Sequence, residues 1–477
     1  MQKPEKYNTE RTRLIDRYEE DNKAYFDVDE WDEIIPYYLQ RMRYSEARAA
    51  LRHAETLHPG EPVLDYHRVR MFSDTGQLKK AIKLADSLQN RLRSAAESAR
   101  RDEADDADNV NLWADTLLLK GEILLKLNQD DAARDTFSTL LLPLFGEKSE
   151  AYADAANIYL NLNRTDAALD WIRQGLEEFP DNTEMLDMAA YCLGNAGKYR
   201  EAAAYLRRVI DLDPYHDRAW IELGTLYFAM EEYDNAISCY DYATAINDDD
   251  TDAWKCKGDA YYAQQAYGKA AECYLRPADY NGARSASQLL AAADCYIQMD
   301  EYPEALSLFR EILAMQPESS EAMEGVGLCE VVLKHGRSGI RYLRKALDIN
   351  PESERAWFFL GQAYMDSGRV RSAIGAFSKC LRINPRQAAA HANMGVLHFD
   401  RHEFNAALRH FREAFLIAPD DTSIGNLHLA MALACFGAGD TQQFASELQL
   451  AQNQDADSYK HAIEVFPECA QYINPIL

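Results

Sequence analysis

Basic residues are in short supply in this 477-residue sequence: 51 Lys and Arg stand against 78 Asp and Glu, a formal net charge of −27. Such a field repels phosphate backbones, which argues against nucleic acid as a partner and favours basic or polar ones. Nine cysteines are scattered with no CxxC pair among them, and their number is odd. That argues against a disulfide framework or a structural zinc site and suits a reducing compartment. The opening MQKPEKYNTERTRL lacks the apolar core that a signal peptide needs. No uncharged apolar run reaches the ~18 residues of a membrane helix. The longest candidate, Ile424–Gly439, carries Asn426 and His428 and reads as a buried core helix. The expected address is therefore cytoplasmic, without a membrane.

What the sequence does have is a period. Pro317, Pro351, Pro385 and Pro419 are spaced by 34 residues, as are Pro180 and Pro214. In the same frame small residues recur at Ala156, Ala190, Gly224, Gly258, Ala293, Gly327, Gly361 and Gly395. Twelve residues later come Ala168, Ala202, Ala236, Ala270, Ala305, Gly339, Ala373 and Ala407, with one slip near Ser285. Each unit shows helical periodicity twice. Trp357, Leu360, Gly361 and Tyr364 share one helix face, and Ala373, Phe377 and Cys380 share another. The small residues let two helices approach closely, the aromatics supply buried area, and Pro385 ends the second helix.

Period, residue types and paired helices together resemble the tetratricopeptide repeat family. The best copies are Asp217–Asp250, Thr251–Arg284 and Glu354–Gln387, and about twelve units span most of the chain. The resemblance implies an all-α fold, a right-handed superhelical α-solenoid of stacked antiparallel helix pairs. The expected organisation is a polar cap over 1–27 and two repeats over 28–95, with an overlong helix at Leu78–Ala99. An acidic linker over 96–113, a central array over 114–284, a C-terminal array over 285–421, and a degenerate repeat with a cap over 422–477 complete it. Pro36 predicts an irregular first unit, Pro62–Leu92 reads as a degenerate copy, and Pro277 predicts an early helix stop with a bend or a binding loop over Leu275–Ala286.

Chemistry-bearing patterns are few. No phosphate-binding glycine loop, GxSxG or HExxH occurs. His398 and His402 stand at i, i+4, with His391, His410 and His428 near in sequence, but His391 and His398 fill aromatic positions of their unit and read as core substitutes. Cys192, Cys295 and Cys329 share one in-repeat position and read as inert core thiols. The acidic run 100–109 lacks the glycine turn and terminal Glu of a calcium loop. No enzyme activity, cofactor or metal is expected.

In the family, first helices line a concave groove through the second, fifth, ninth, twelfth and thirteenth residues of each unit. By that resemblance the partner-facing residues are Arg218, Thr225 and Phe228, then Lys255, Asp259 and Tyr262. Arg355, Phe358, Gln362, Met365 and Asp366 follow, then Val396, Phe399 and Asp400, with Asn157, Asn161, Asp187, Tyr191 and Asn195 upstream. The family's carboxylate clamp for chaperone tails is incomplete, because Phe358, Gln362, Ser423 and Leu427 replace four of its five residues and only Asn393 fits. The expected function is a non-catalytic scaffold that binds a peptide segment or protein in this groove. Self-association of arrays is the alternative, with an enzyme or small-ligand binder as a third reading.

Overall fold

A computed structural model describes residues 4–21, 24–98, 106–142, 145–276, 284–419, 426–454 and 457–470. Several first helices begin at a residue whose side chain caps them. The Ser353 hydroxyl accepts from the Ala356 amide at 3.1 Å, Asp250 from Ala253 at 3.0 Å, and Asn182 from Met185 at 2.9 Å. Each satisfies an amide that the first turn leaves without a partner. Between the two helices of a repeat the chain turns through one left-handed residue. Gly76, Gly197, Gly368 and Gly439 hold that position in four repeats, whereas Met42, Asn128, Asn163, Glu231, Gln265, Asp300, Lys334 and His402 adopt it with side chains, at φ between 56° and 64°.

The first unit, Met1–Glu232, runs through α1 (Pro4–Glu20), α2 (Val28–Gln40), α3 (Tyr44–Leu57), α4 (Pro62–Asp74), α5 (Leu78–Ser98) and α6 (Asp106–Lys126). It continues with α7 (Asp130–Thr139), α8 (Lys148–Asn161), α9 (Thr165–Glu178), α10 (Thr183–Asn195), α11 (Tyr199–Leu212) and α12 (Asp217–Ala229). The second unit, Tyr233–Leu477, starts with α13 (Tyr233–Ile246), α14 (Thr251–Ala263), α15 (Tyr267–Leu275), α16 (Ala286–Gln298), α17 (Tyr302–Met315) and α18 (Ser320–Val332). Then come α19 (Gly336–Ile349), α20 (Glu354–Asp366), α21 (Val370–Ile383), α22 (Ala388–Asp400), α23 (Phe404–Ile417), α24 (Leu427–Gly437), α25 (Thr441–Gln454) and α26 (Ser458–Val465). The described residues contain no strand.

One contact recurs through both units. A Cβ at Gly121, Gly258, Gly361 or Gly395 would meet the ring of Phe137, Tyr274, Phe377 or Phe411 at under 3 Å. Each ring lies sixteen residues downstream, on the helix that folds back. The small residue is thus the seat of an aromatic side chain, worth on the order of 2–3 kcal/mol when buried. A second recurrence anchors the helix start. The indoles of Trp220, Trp254 and Trp357 donate to carbonyls six residues earlier, at 3.0, 2.9 and 2.9 Å. His391 replaces the indole in α22 and places Nε2 3.2 Å from the Pro385 carbonyl oxygen, the same partner position.

Several expectations need correction. Residues 106–113 are not linker: they open α6, a 21-residue helix, and α5 is equally long, so only 99–105 separate the two and lie outside the described residues. Pro36 sits inside an unbroken α2. The degenerate copy after Pro62 is a full helix pair, α4 with α5, with Pro62 at the first helical position. The two compact units divide between Glu232 and Tyr233, within the span expected as the central array. α15 stops at Leu275, two residues before Pro277, as a proline demands. The rest of that break, 277–283, lies outside the described residues, as does most of the acidic run 100–109. At the ends, Ile15 and Tyr18 of α1 are buried in one cluster with Trp31, and Phe466 packs on Phe436, while Val465 is exposed.

Candidate partner-binding faces

In the second unit the first helices α14, α20 and α22 carry the expected residues in two distinct conditions. Lys255, Tyr262, Arg355, Asp366, Val396 and Asp400 are exposed, with Tyr262 at 37% and Val396 at 43%. Phe358, Gln362, Met365 and Phe399 are half-buried. Phe358 packs edge-on against Phe377 and Phe359, and Phe399 against Phe404 and Phe466. Those two phenylalanines therefore have packing duties of their own. Asp259 accepts from the Tyr274 hydroxyl at 2.6 Å, and Asp366 pairs with Lys334 at 3.2 Å.

Arg355 organises the middle of this face. Its Nη1 lies 4.0 Å from Asp294 of α16 and its Nε 3.7 Å from Glu324 of α18. Glu324 is held in turn by the Ser353 hydroxyl at 2.6 Å, so the N-cap residue of α20 also fixes the neighbouring carboxylate. Burial keeps the Asp294 carboxyl above its ordinary range; Arg355 opposes this and Glu321 adds to it. The Tyr262 phenol is raised mainly by burial and next by Asp294. A tyrosine, two carboxylates and a guanidinium thus act on one another along four first helices. Asp294 and Glu324 were not among the expected residues, although they occupy the ninth and fifth positions of their units, the same register as Gln362 and Phe358.

In the first unit Arg218 and Thr225 of α12 are exposed and Phe228 is half-buried. Arg218 Nε pairs with Glu222 at 2.8 Å, and the Thr225 hydroxyl donates to the Ile221 carbonyl at 2.9 Å. Asp187 is raised above its usual range by burial, with His216 opposing at 3.9 Å. Asn157, Asn161, Tyr191 and Asn195 occupy the expected positions on α8 and α10, with the side chains of Asn157, Asn161 and Tyr191 exposed. Sequence reasoning missed the N-terminal part of this unit. A cavity of about 770 Å³ opens between α2 and α4, and another of about 560 Å³ between α4, α6 and α8. They share Tyr66, Arg70 and Lys126. The available signal was Tyr66, Arg70 and Asp74 at i, i+4 and i+8, one face of a helix.

The histidines and cysteines serve packing. His410 stacks on His398 with ring centroids 5.4 Å apart and lies 3.1 Å from His391, Nδ1 to Nδ1. No group among the described residues gathers three side chains able to hold a metal ion. Cys192, Cys295 and Cys329 are buried, and burial pushes the first up to about 11 and the other two up to about 12. Such thiols stay protonated at neutral pH and are poor nucleophiles. No helix among the described residues is long and apolar enough to cross a membrane.

Models of the tetratricopeptide repeat match residues 149–182, 195–260, 290–335 and 334–397. Among solved structures, the chain is similar to one described as the APC/C hetero-tetramer Cut9-Hcn1, at 14% identity and a TM-score of 0.40, covering 86% of this chain and 96% of that one. It is also similar to a tetratricopeptide repeat protein from Parabacteroides merdae ATCC 43184, at 16% identity and a TM-score of 0.38, covering 50% and 94%. A third is YrrB, described as a TPR protein with an unusual peptide-binding site, at 16% identity and a TM-score of 0.34, covering 39% and 95%. The chain is a tetratricopeptide repeat protein, built on a scaffold fold of protein–protein interaction.

Proposed function

We propose that this tetratricopeptide repeat protein is a non-catalytic scaffold whose first helices hold an extended segment of a partner protein. The observation that supports this reading is the division of labour within each repeat. The conspicuous residues Gly361, Tyr364, Ala373 and Phe377 are buried joints, whereas Tyr262, Arg355 and Val396, at the family's contact positions, are left on the surface. Tyr262 offers apolar area with a polar tip, and Arg355 with Asp294 and Glu324 offers both signs of charge for orientation. An extended segment lying across successive first helices meets these groups in turn. The net charge of −27 favours a segment that is basic or neutral.

Phe358 is a poor reporter, because it also packs on Phe377. The better test changes Tyr262 and Arg355 together to alanine. The partner is first identified by affinity capture from the native host and its binding segment is then synthesised. Calorimetry should show at least about tenfold weaker binding by the double variant at unchanged helicity. Equal affinity would remove this face from the proposed site. Loss of a wild-type dimer in the same variant, seen by light scattering, would assign the face to self-association instead.

A further inference from the structure

The cavity between α4, α6 and α8 has a charge inventory that does not close. Lys126 Nζ lies 2.7 Å from Glu122 and 3.2 Å from the Ser73 hydroxyl. Arg70 lies 3.6 Å from Glu122 and 3.6 Å from Asp74. Both cations of the cavity therefore have carboxylates already. Asp115, on the same wall, makes no hydrogen bond or ion pair among the described residues, and the charge acting on it is a second carboxylate, Asp32. Asp115 is exposed, yet partial desolvation, followed by Asp32, holds its carboxyl above the usual range, and burial followed by Asp115 pushes the Tyr66 phenol up to about 12. What Asp115 lacks is a positive partner.

The rest of the lining says what should carry that charge. Leu118, Leu119, Ile158 and Leu162 form apolar walls beside the Tyr66 ring. Lysine and arginine lay an aliphatic stem along such a surface while their charged end reaches a polar group, and an aromatic face adds attraction for a cation. At the rim the exposed Asn161 amide has no partner among the described residues, which leaves a donor and an acceptor for a peptide backbone. An acidic guest is the poorer match, since it would have to take Lys126 from Glu122 at 2.7 Å.

We propose that this cavity, of about 560 Å³, seats one lysine or arginine side chain of an extended partner segment, with Asp115 as its counter-ion. The inference rests on the reading that first helices face the partner. Its test uses synthetic peptides and a different set of residues from Tyr262 and Arg355, so either reading can fail alone.

The full chain, carrying 13C-labelled isoleucine methyls, is titrated with the blocked pentapeptide acetyl-Gly-Ala-Lys-Ala-Gly-amide. Peptides with arginine, norleucine or glutamate in place of the lysine serve for comparison. The Ile158 methyl should shift saturably with the lysine and arginine peptides, and these should bind about tenfold or more tightly than the other two. Asp115→Asn removes a repelled carboxylate at constant shape and should fold with an equal or higher Tm. It should weaken the lysine peptide about tenfold. The proposal is overturned if neither cationic peptide moves Ile158, if the glutamate peptide binds as tightly as lysine, or if a folded Asp115→Asn keeps full affinity.

Discussion

The ring of Phe377 lies directly over Gly361, so that a Cβ added there would stand 2.7 Å from Cε1 of the ring. Phe377 is fully buried and cannot retreat. Gly361→Ala should therefore destabilise the fold, by roughly 1–2 kcal/mol after a helix-propensity gain that offsets part of the overpacking. Gly375, one helix on, is exposed with open space around its Cβ position. There the same change should stabilise by up to about 1 kcal/mol. Denaturant midpoints of the two variants should move in opposite directions; a shift of the same sign would undo the account of the joint.

Glu330 is 4% exposed, and its two oxygens accept from Arg310 at 2.8 Å and lie 2.9 Å from His335 Nδ1. Removing a partner leaves a buried charge without compensation. Arg310→Met should cost roughly 1–3 kcal/mol, and adding Glu330→Gln to it should recover part of that loss. A double-mutant cycle on urea unfolding measures the coupling, which should be clearly non-additive.

His410 is held down to about 4 from its ordinary 6.5, chiefly by burial and then by the charges of His391, His398 and Arg409. Between pH 6.5 and 4 the unfolded chain binds a proton that the folded chain refuses. Stability from this group is complete above that window and falls as pH drops through it. Carboxyls that are raised in the fold, such as Asp294 and Asp187, act with the opposite sign. The difference between the wild type and His410→Phe isolates the histidine: on acidification the wild type should lose stability relative to the variant. Parallel pH curves for the two would remove the assignment.

Eight of the nine thiols are buried and Cys256 is half-buried. Cys256 is itself raised, by burial and then by Asp259 and Asp252. With a thiol reagent at pH 8 the native chain should release colour slowly and from no more than one cysteine, and in denaturant from all nine. Fast reaction of several thiols in the native state would contradict inert core positions.

Much of this fold could be read from spacing alone. A 34-residue period with small residues and aromatics in a fixed frame has few physical solutions, because each unit can bury its apolar face only against its neighbours. The helix pairs and the buried cysteines followed from that. Less legible were the places where signature residues fade. After Pro62 only Ala81 kept the frame, yet α4 and α5 form a full pair, since general apolar periodicity suffices for helix packing. An acidic composition likewise concealed the first turns of α6, whose charged residues precede the apolar stripe through Leu117 and Ile123.

By itself the sequence determined the repeat, its paired helices and the frame of small and aromatic packing residues, which leaves the remaining first-helix positions as candidates for exposure. All of these depend on neighbours within one period. Only the tertiary structure decided what those exposed positions amount to. Arg355 reaching Asp294 and Glu324, and Asp32 acting on Asp115, are relations between helices one or two repeats apart. Their distances depend on how one repeat stacks on the next, and no in-repeat spacing records that angle.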